Sequence, residues 1–154
     1  MSPRAASVTY VRVNFGEESV AQRLAEAGHR TDVPTCWVWE GVTPYLPPTA
    51  TDATLRDIAQ RSAPGSTIAL TYGRPDVAGA NTAVANALIL RAFARLGEPL
   101  LGLMSSDDAA GLVRRHGFEP TADSGQRSWA EQTQSAATLA RPFRAERLLE
   151  ACRT

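Results

Sequence analysis

Thr35-Cys36-Trp37-Val38-Trp39-Glu40 opens the stretch that decides the fold; it continues as GVTPYLPPTATDATLRDIAQRSAPG over 41–65 and closes as Ser66-Thr67-Ile68-Ala69-Leu70-Thr71-Tyr72. Residues 35–40 are short, bulky and apolar, which reads as a buried strand. Prolines 44, 47 and 48 punctuate a loop. From about Ala50 to Ser62, Leu55, Ile58 and Ala59 share one face at helical spacing. The Pro64-Gly65 pair breaks that helix. Residues 66–72 then read as a second strand. Trp37 and Trp39 are expected to be packing residues on opposite faces of the first strand.

The same alternation extends outward. Residues 8–14, VTYVRVN, alternate and are β-rich, so they read as a strand. Residues 17–27 carry Val20, Leu24 and Ala27 at helical spacing, with acidic residues at the start and Gly28 at the end. Downstream, a helix is expected from about Gly79 to Leu96, ended by Gly97, and 99–103 as a short extended piece. Ser105 or Ser106 caps a helix through Arg115, with Asp107 and Asp108 in its first turn. Residues 117–123 read as a strand that Pro120 confines to an edge or keeps short. Residues 128–139 are either helix or loop, and AERLLEAC at 145–152 is either strand or helix, with propensity favouring helix. Strands alternating with helices predict an α/β fold with a mostly parallel sheet and helices on both faces. The expected organisation is a flexible N-terminus over 1–7 and one α/β domain over 8–154. Ligands in such sheets bind beyond the carboxyl ends of the strands. That directs attention to Asn14 and Phe15, Glu40 through Tyr45, and Tyr72 through Arg74.

Composition removes several function classes. The 154 residues are 44% hydrophobic and 21% charged, with sixteen basic and sixteen acidic residues. That balance gives no electrostatic footprint for nucleic acid or an anionic membrane. Every basic residue is arginine, so neither a Schiff-base lysine nor a P-loop lysine exists. Cys36 and Cys152 are too few for a disulfide scaffold or a four-cysteine zinc site and read as buried thiols. No metal site is expected, because no His or Cys pair has zinc-ligand spacing and Asp107 and Asp108 read as first-turn residues. His29 and His116 sit at helix ends, where a protonated imidazole is a stabiliser rather than a catalyst. No G-x-S-x-G elbow is present. No run approaches the ~20 apolar residues of a membrane helix, and the first twenty residues lack a signal-peptide core. The expected location is the cytoplasm.

Glu40-Gly41-Val42-Thr43-Pro44-Tyr45 is the most distinctive motif: a carboxylate ends an apolar strand, a glycine follows and an aromatic lies five positions on. Glu40 can accept hydrogen bonds from a ligand ammonium, Gly41 can let backbone approach a ligand closely, and Tyr45 can shape a pocket and offer a hydroxyl. With VTYVRVNF at 8–15, SAPGSTIALTY at 62–72, GEPLLGLMSSDDAAGLVRRHGF at 97–118 and the closing ERLLEAC, this motif resembles the leucine carboxyl methyltransferase-like branch of the class I S-adenosylmethionine-dependent methyltransferases, and within it an actinobacterial set. The resemblance implies S-adenosyl-L-methionine as cofactor. It also implies methyl transfer to a carboxylate or hydroxyl oxygen of a small-molecule substrate. By resemblance, Glu40 with Gly41 meets the amino-acid end of the cofactor, Asn14 and Phe15 meet its adenine, and Tyr45 lies on the acceptor side.

The resemblance covers the C-terminal half of that family's fold. No two glycines here are separated by a single residue, so the family's G-x-G turn is absent. The acidic residue expected to hold the ribose is absent too. The implied architecture is a partial Rossmann-like methyltransferase sheet lacking the first two strands of the family's order 3-2-1-4-5-7-6. Residues 8–14 would then lose both neighbours, and the strand at 35–40 would have an exposed edge. The first strand could move over to pair with 35–40, which is the favoured outcome; it could dangle; or a complementary N-terminal chain could fill the gap. The alternative reading of function is a catalytically inactive remnant or interaction module that docks a partner, or self-associates, through that edge.

Overall fold

The computed structural model describes residues 6–76, 83–125, 128–129 and 145–154. The deciding stretch folds as read. Strand β1 spans Cys36–Trp39, a 3-10 turn Thr43–Tyr45, helix α2 Pro48–Gln60 and strand β2 Thr67–Gly73. Helix α1, Val20–Glu26, precedes them; helix α3, Ala83–Arg95, helix α4, Ser106–Arg115, strand β3, Phe118–Gly125, and strand β4, Glu146–Arg153, follow. Pro48 starts α2, where its missing N–H costs nothing. Ser105 and Asp108 form a reciprocal capping box at α4. At α1 the cap is Ser19, which accepts from Gln22 N, and no acidic residue lies in the first helical turn. Gly28 follows α1 in the left-handed region, at φ +85°.

The described strands form one sheet in the order β1-β2-β4-β3. This reproduces the last four places, 4-5-7-6, of the order implied by the resemblance. The sheet is mixed rather than mostly parallel: β1 and β2 are parallel, while β2–β4 and β4–β3 are antiparallel. The expectation of a mostly parallel sheet fails because β4 returns antiparallel into the gap between β2 and β3. It fails also because residues 8–14 add no parallel member. They form no strand, and Val8 and Tyr10 are exposed. A β-rich run without a partner ladder has little to gain from extension. The favoured pairing of 8–14 with β1 is therefore not formed, and no described strand pairs with the outer edge of β1. Pro120 sits on β3, an edge strand as expected, beside a register shift between Pro120 and Ala122. The closing segment is a strand because Leu149 and Ala151 are buried between two neighbours, which outweighs helix propensity.

The core lies on one face of the sheet. Trp39, Ile68, Leu70, Tyr72, Phe118, Leu149 and Ala151 meet Leu55 and Ile58 of α2 and Ala109, Leu112 and Val113 of α4. Helices on both faces were expected; among the described residues α2 and α4 share one. Both crossovers, β1 to β2 and β2 to β3, advance in the same direction across the sheet. A right-handed rule then places both on the same side. Trp37 and Trp39 also share that face, as residues two apart on a strand must. Cys36 is exposed and Cys152 half-buried, so neither is a buried thiol. No described helix is long and apolar enough to cross a membrane. The expected helix over 79–96 begins at Ala83, its first four positions lying outside the described residues. So do residues 1–5 of the expected flexible terminus and all of 128–139 beyond Trp129.

At the amino end of β1, His29 packs tilted against Trp37, with ring centroids 5.1 Å and planes 31° apart, and its Nε2 lies 3.2 Å from Thr35 Oγ1. Burial, and then the nearby Arg61 guanidinium, push this imidazole below its ordinary range. A native state that prefers neutral His29 is fully favoured above the unfolded value of about 6.5 and loses that advantage as pH falls through it. Thermal unfolding followed from pH 7.5 downward should therefore show a falling midpoint below about pH 6.5. His29→Gln should flatten that part of the profile; an unchanged slope would show that His29 does not contribute.

Candidate active site at the carboxyl end of β1

Strand β1 ends at Trp39, so Glu40 is the first residue beyond it. Trp39 is buried on the covered face; Val38 and Glu40 project from the other. There Glu40, Val38, Ala69, Thr71, Trp129, Glu146 and Leu148 line a cavity of about 310 Å³. Glu40 is exposed, with no hydrogen bond or ion pair among the described residues. Burial, and secondarily the charge of Glu40, raise the Glu146 carboxyl above its ordinary range. Two carboxylates thus face a partly apolar cavity with an indole beside them.

Gly41 adopts φ +72°, which a side chain would strain. A Cβ there would meet nothing within 4 Å, so Gly41 is needed for the turn and not for close approach. Its N–H donates to Thr71 Oγ1 at 2.8 Å, and Thr43 Oγ1 donates to the Thr71 carbonyl at 2.6 Å. Thr71 of β2 therefore holds the turn after β1 from two sides. The 3-10 turn carrying Tyr45 is pinned by residues 101–102, whose N–H groups both donate to Pro44 O, at 2.8 and 3.0 Å. Tyr45 is 42% exposed on that turn and does not line the Glu40 cavity.

Phe15 stacks on Trp39, with centroids 6.2 Å apart and planes 22° apart. It therefore reaches the end of β1, one residue from Glu40 but over the covered face. The buried Nε1 of Trp39 has no hydrogen-bond partner among the described residues. Asn14 turns away. Its side chain donates to Glu17 and its backbone N–H to Glu18 at 2.8 Å, and it lines a separate groove with Tyr10, Arg12 and Arg23. The structure thus brings Glu40 and Gly41 together and Phe15 alongside them; it leaves Asn14 and Tyr45 apart.

Sequence reading missed Glu146. The available signal was the antiparallel sense of the last strand, which starts β4 beside the ends of β1 and β2. It also missed a polar cluster on the covered face at the end of β2. The buried Tyr72 hydroxyl donates to Asp123 Oδ2 at 2.8 Å and lies 2.8 Å from Ser106 Oγ. Arg147 Nε donates to Asp123 Oδ1 at 2.9 Å. Burial raises the Tyr72 phenol, so it remains a donor at neutral pH. Among the described residues no group of three or more His, Cys, Asp or Glu could hold a metal ion.

Comparison with known proteins finds the following likenesses. The leucine carboxyl methyltransferase family model matches residues 1–59. A protein from Mycolicibacterium gilvum named as an S-adenosyl-L-methionine-dependent methyltransferase is 52% identical over 46 residues, 30% of this chain and 15% of its own length. One from Mycobacteroides abscessus, named likewise, is 46% identical over 70 residues, 44% of this chain and 22% of its own. These matches thus span less than a quarter of those relatives. Among solved structures, a DUF574 family protein from Streptomyces avermitilis superposes with a TM-score of 0.62 at 14% identity, covering 80% of this chain and 46% of that one. Magnesium protoporphyrin IX methyltransferase from Synechocystis, with bound SAH, gives 0.50 at 18% identity, covering 85% and 48%. These likenesses establish the fold. Over residues 1–59 the chain is similar to the leucine carboxyl methyltransferase family.

Proposed function

We propose that this chain carries part of the site of an S-adenosyl-L-methionine-dependent methyltransferase acting on an oxygen of a small molecule. The observation that carries the reading is positional. Asn14, Phe15, Glu40, Gly41 and Tyr45 all lie inside the matched residues 1–59, and Glu40, without a hydrogen bond or ion pair among the described residues, stands where a parallel strand ends. The residues fit the cofactor at one end: Glu40 would receive the ammonium of its methionine part as a charge-assisted hydrogen bond. Thr71 would keep the Gly41 turn fixed, and the exposed edge of Phe15 would offer the adenine an apolar surface beside Trp39. When bound, the cofactor supplies a methyl group activated on a sulfonium sulfur. Transfer to oxygen is an in-line displacement, so the work left to these residues is positioning and exclusion of water. Tyr45 would border the acceptor. Both histidines lie at the amino ends of the strands, where His29 contacts Thr35 and His116 contacts Asp52. No imidazole is therefore placed at the carboxyl end of β1.

Thermal unfolding with and without S-adenosylhomocysteine tests the reading. At 100 times its dissociation constant a ligand adds ~2.7 kcal/mol to the folded state. The midpoint should rise visibly, and Glu40→Gln should remove most of the rise without altering the ligand-free midpoint. A cooperative melt that ignores the ligand up to millimolar concentration would overturn it. A second reading has its own observation: the open edge of β1 suits a partner strand. It predicts a ligand-insensitive chain that gains stability from such a partner.

A further inference from the structure

Strand β4 begins at Glu146, opposite Gly73 and so at the carboxyl end of β2. Its parity, alternating with buried Leu149 and Ala151, places Glu146 on the face that carries Glu40. Only β2 separates the strands that bear the two carboxylates, so those strands lie about 10 Å apart, and Thr71 and Leu148 line the space between them. Glu146 has no hydrogen bond or ion pair among the described residues, and burial holds its carboxyl above the ordinary range. The indole of Trp129 lines the same cavity, and its Nε1 donates to Ser124 Oγ at 2.8 Å, which ties the ring to β3. A carboxylate, an indole and the aliphatic walls of Val38, Ala69 and Leu148 suit an onium ion. The ring and the carboxylate attract positive charge, and the walls receive the carbon substituents that surround it. An anion would be repelled by both carboxylates, and a neutral apolar group would desolvate them without pairing them.

We propose that Glu146 and Trp129 receive the sulfonium centre of the cofactor, so that the cavity discriminates by charge and binds S-adenosylmethionine in preference to its demethylated product. The inference rests on the reading of Glu40 as the partner of the ammonium. With the ammonium on Glu40, the methionine chain crosses Thr71 and Leu148, and its sulfur comes to the side of the cavity that Glu146 and Trp129 form. The product keeps the ammonium but carries no charge on sulfur. It therefore retains the contact with Glu40 and loses the attraction of Glu146 and the indole. Glu40 anchors either ligand, Glu146 tells them apart, and spent cofactor leaves more readily than fresh cofactor.

Isothermal titration calorimetry of the full chain with S-adenosylmethionine and with S-adenosylhomocysteine tests this. The wild type should bind the sulfonium form more tightly by roughly tenfold, as expected of one partly screened ion pair. Glu146→Gln should abolish that preference by weakening S-adenosylmethionine alone, and Trp129→Leu should reduce it. Glu40→Gln should weaken both ligands alike, since both keep the ammonium. Circular dichroism should show Glu146→Gln folded, because it keeps the shape of the side chain and removes a charge that burial disfavours. Equal affinity of the wild type for the two ligands would overturn the inference. So would a Glu146→Gln variant that weakens both equally or neither, while a loss of both ligands in Glu40→Gln would still uphold the ammonium site. If neither ligand binds the wild type, the assignment of the cavity to the cofactor falls, and this inference with it.

Discussion

Gly102→Ala should destabilise the protein by about 3 kcal/mol or more, the largest loss expected of any single methyl group added here. A Cβ at this position would stand 2.2 Å from the Thr43 carbonyl oxygen and 2.6 Å from that of Leu46. Both obstacles are backbone, so no rotamer change relieves them. The turn would have to retreat, and its ties would go with it: Gly102 N–H to Pro44 O, Thr43 Oγ1 to Thr71 O, and the fully buried position of Thr43. Because the same turn follows Glu40 and carries Tyr45, ligand binding should fall in parallel with stability. Chemical denaturation of the variant measures the first and a thermal-shift titration the second. A loss below 1 kcal/mol would mean that the turn is free to move.

Phe118→Ala should cost about 3–5 kcal/mol. Phe118 is 1% exposed at the start of β3, among the largest fully buried side chains, and it packs with the α4 residues that precede it. The Arg153 guanidinium lies 5.6 Å from its ring centroid. Truncation leaves a cavity between α4, β3 and β4 that the sheet cannot close without breaking its ladder. Against a total of 5–15 kcal/mol typical of a domain, such a loss would leave the variant marginal. Denaturant titration at neutral pH checks it; a cost under 2 kcal/mol would show that this end of the core collapses freely.

The βαβ stretch was legible because its signals were local: an apolar run, proline punctuation, a 3.6-residue period and Pro64-Gly65. The α4 cap and the edge position of β3 were legible for the same reason, through Ser105 and Pro120. What could not be read locally was partnership. VTYVRVN has the composition of a strand, yet no described strand lies beside it. ERLLEAC has the propensities of a helix, yet two strands flank it. The site divides in the same way. Glu40 was visible from its place after an apolar run, and among the described residues it has no hydrogen-bond or ion-pair partner. Glu146 was invisible because its place depends on the sense of a strand whose type was itself undecided. Asn14 was assigned to a ligand without regard to Glu17 and Glu18, three and four residues on, which take its side chain and its N–H.

Strand β4 follows every other described strand in sequence, yet stands between two of them. A nascent chain that has emerged as far as β3 has made the core-facing residues of α2, β2 and α4 but cannot join β3 to β2. Closing the sheet waits for Glu146–Arg153, whose partners on β2 were synthesised long before. Such distant pairings make folding slow. Until they form, the inner edges of β2 and β3 are open to mispairing. During biosynthesis the exposure to aggregation is therefore greatest between the emergence of β3 and that of β4, and loss of β4 would remove the keystone of the sheet.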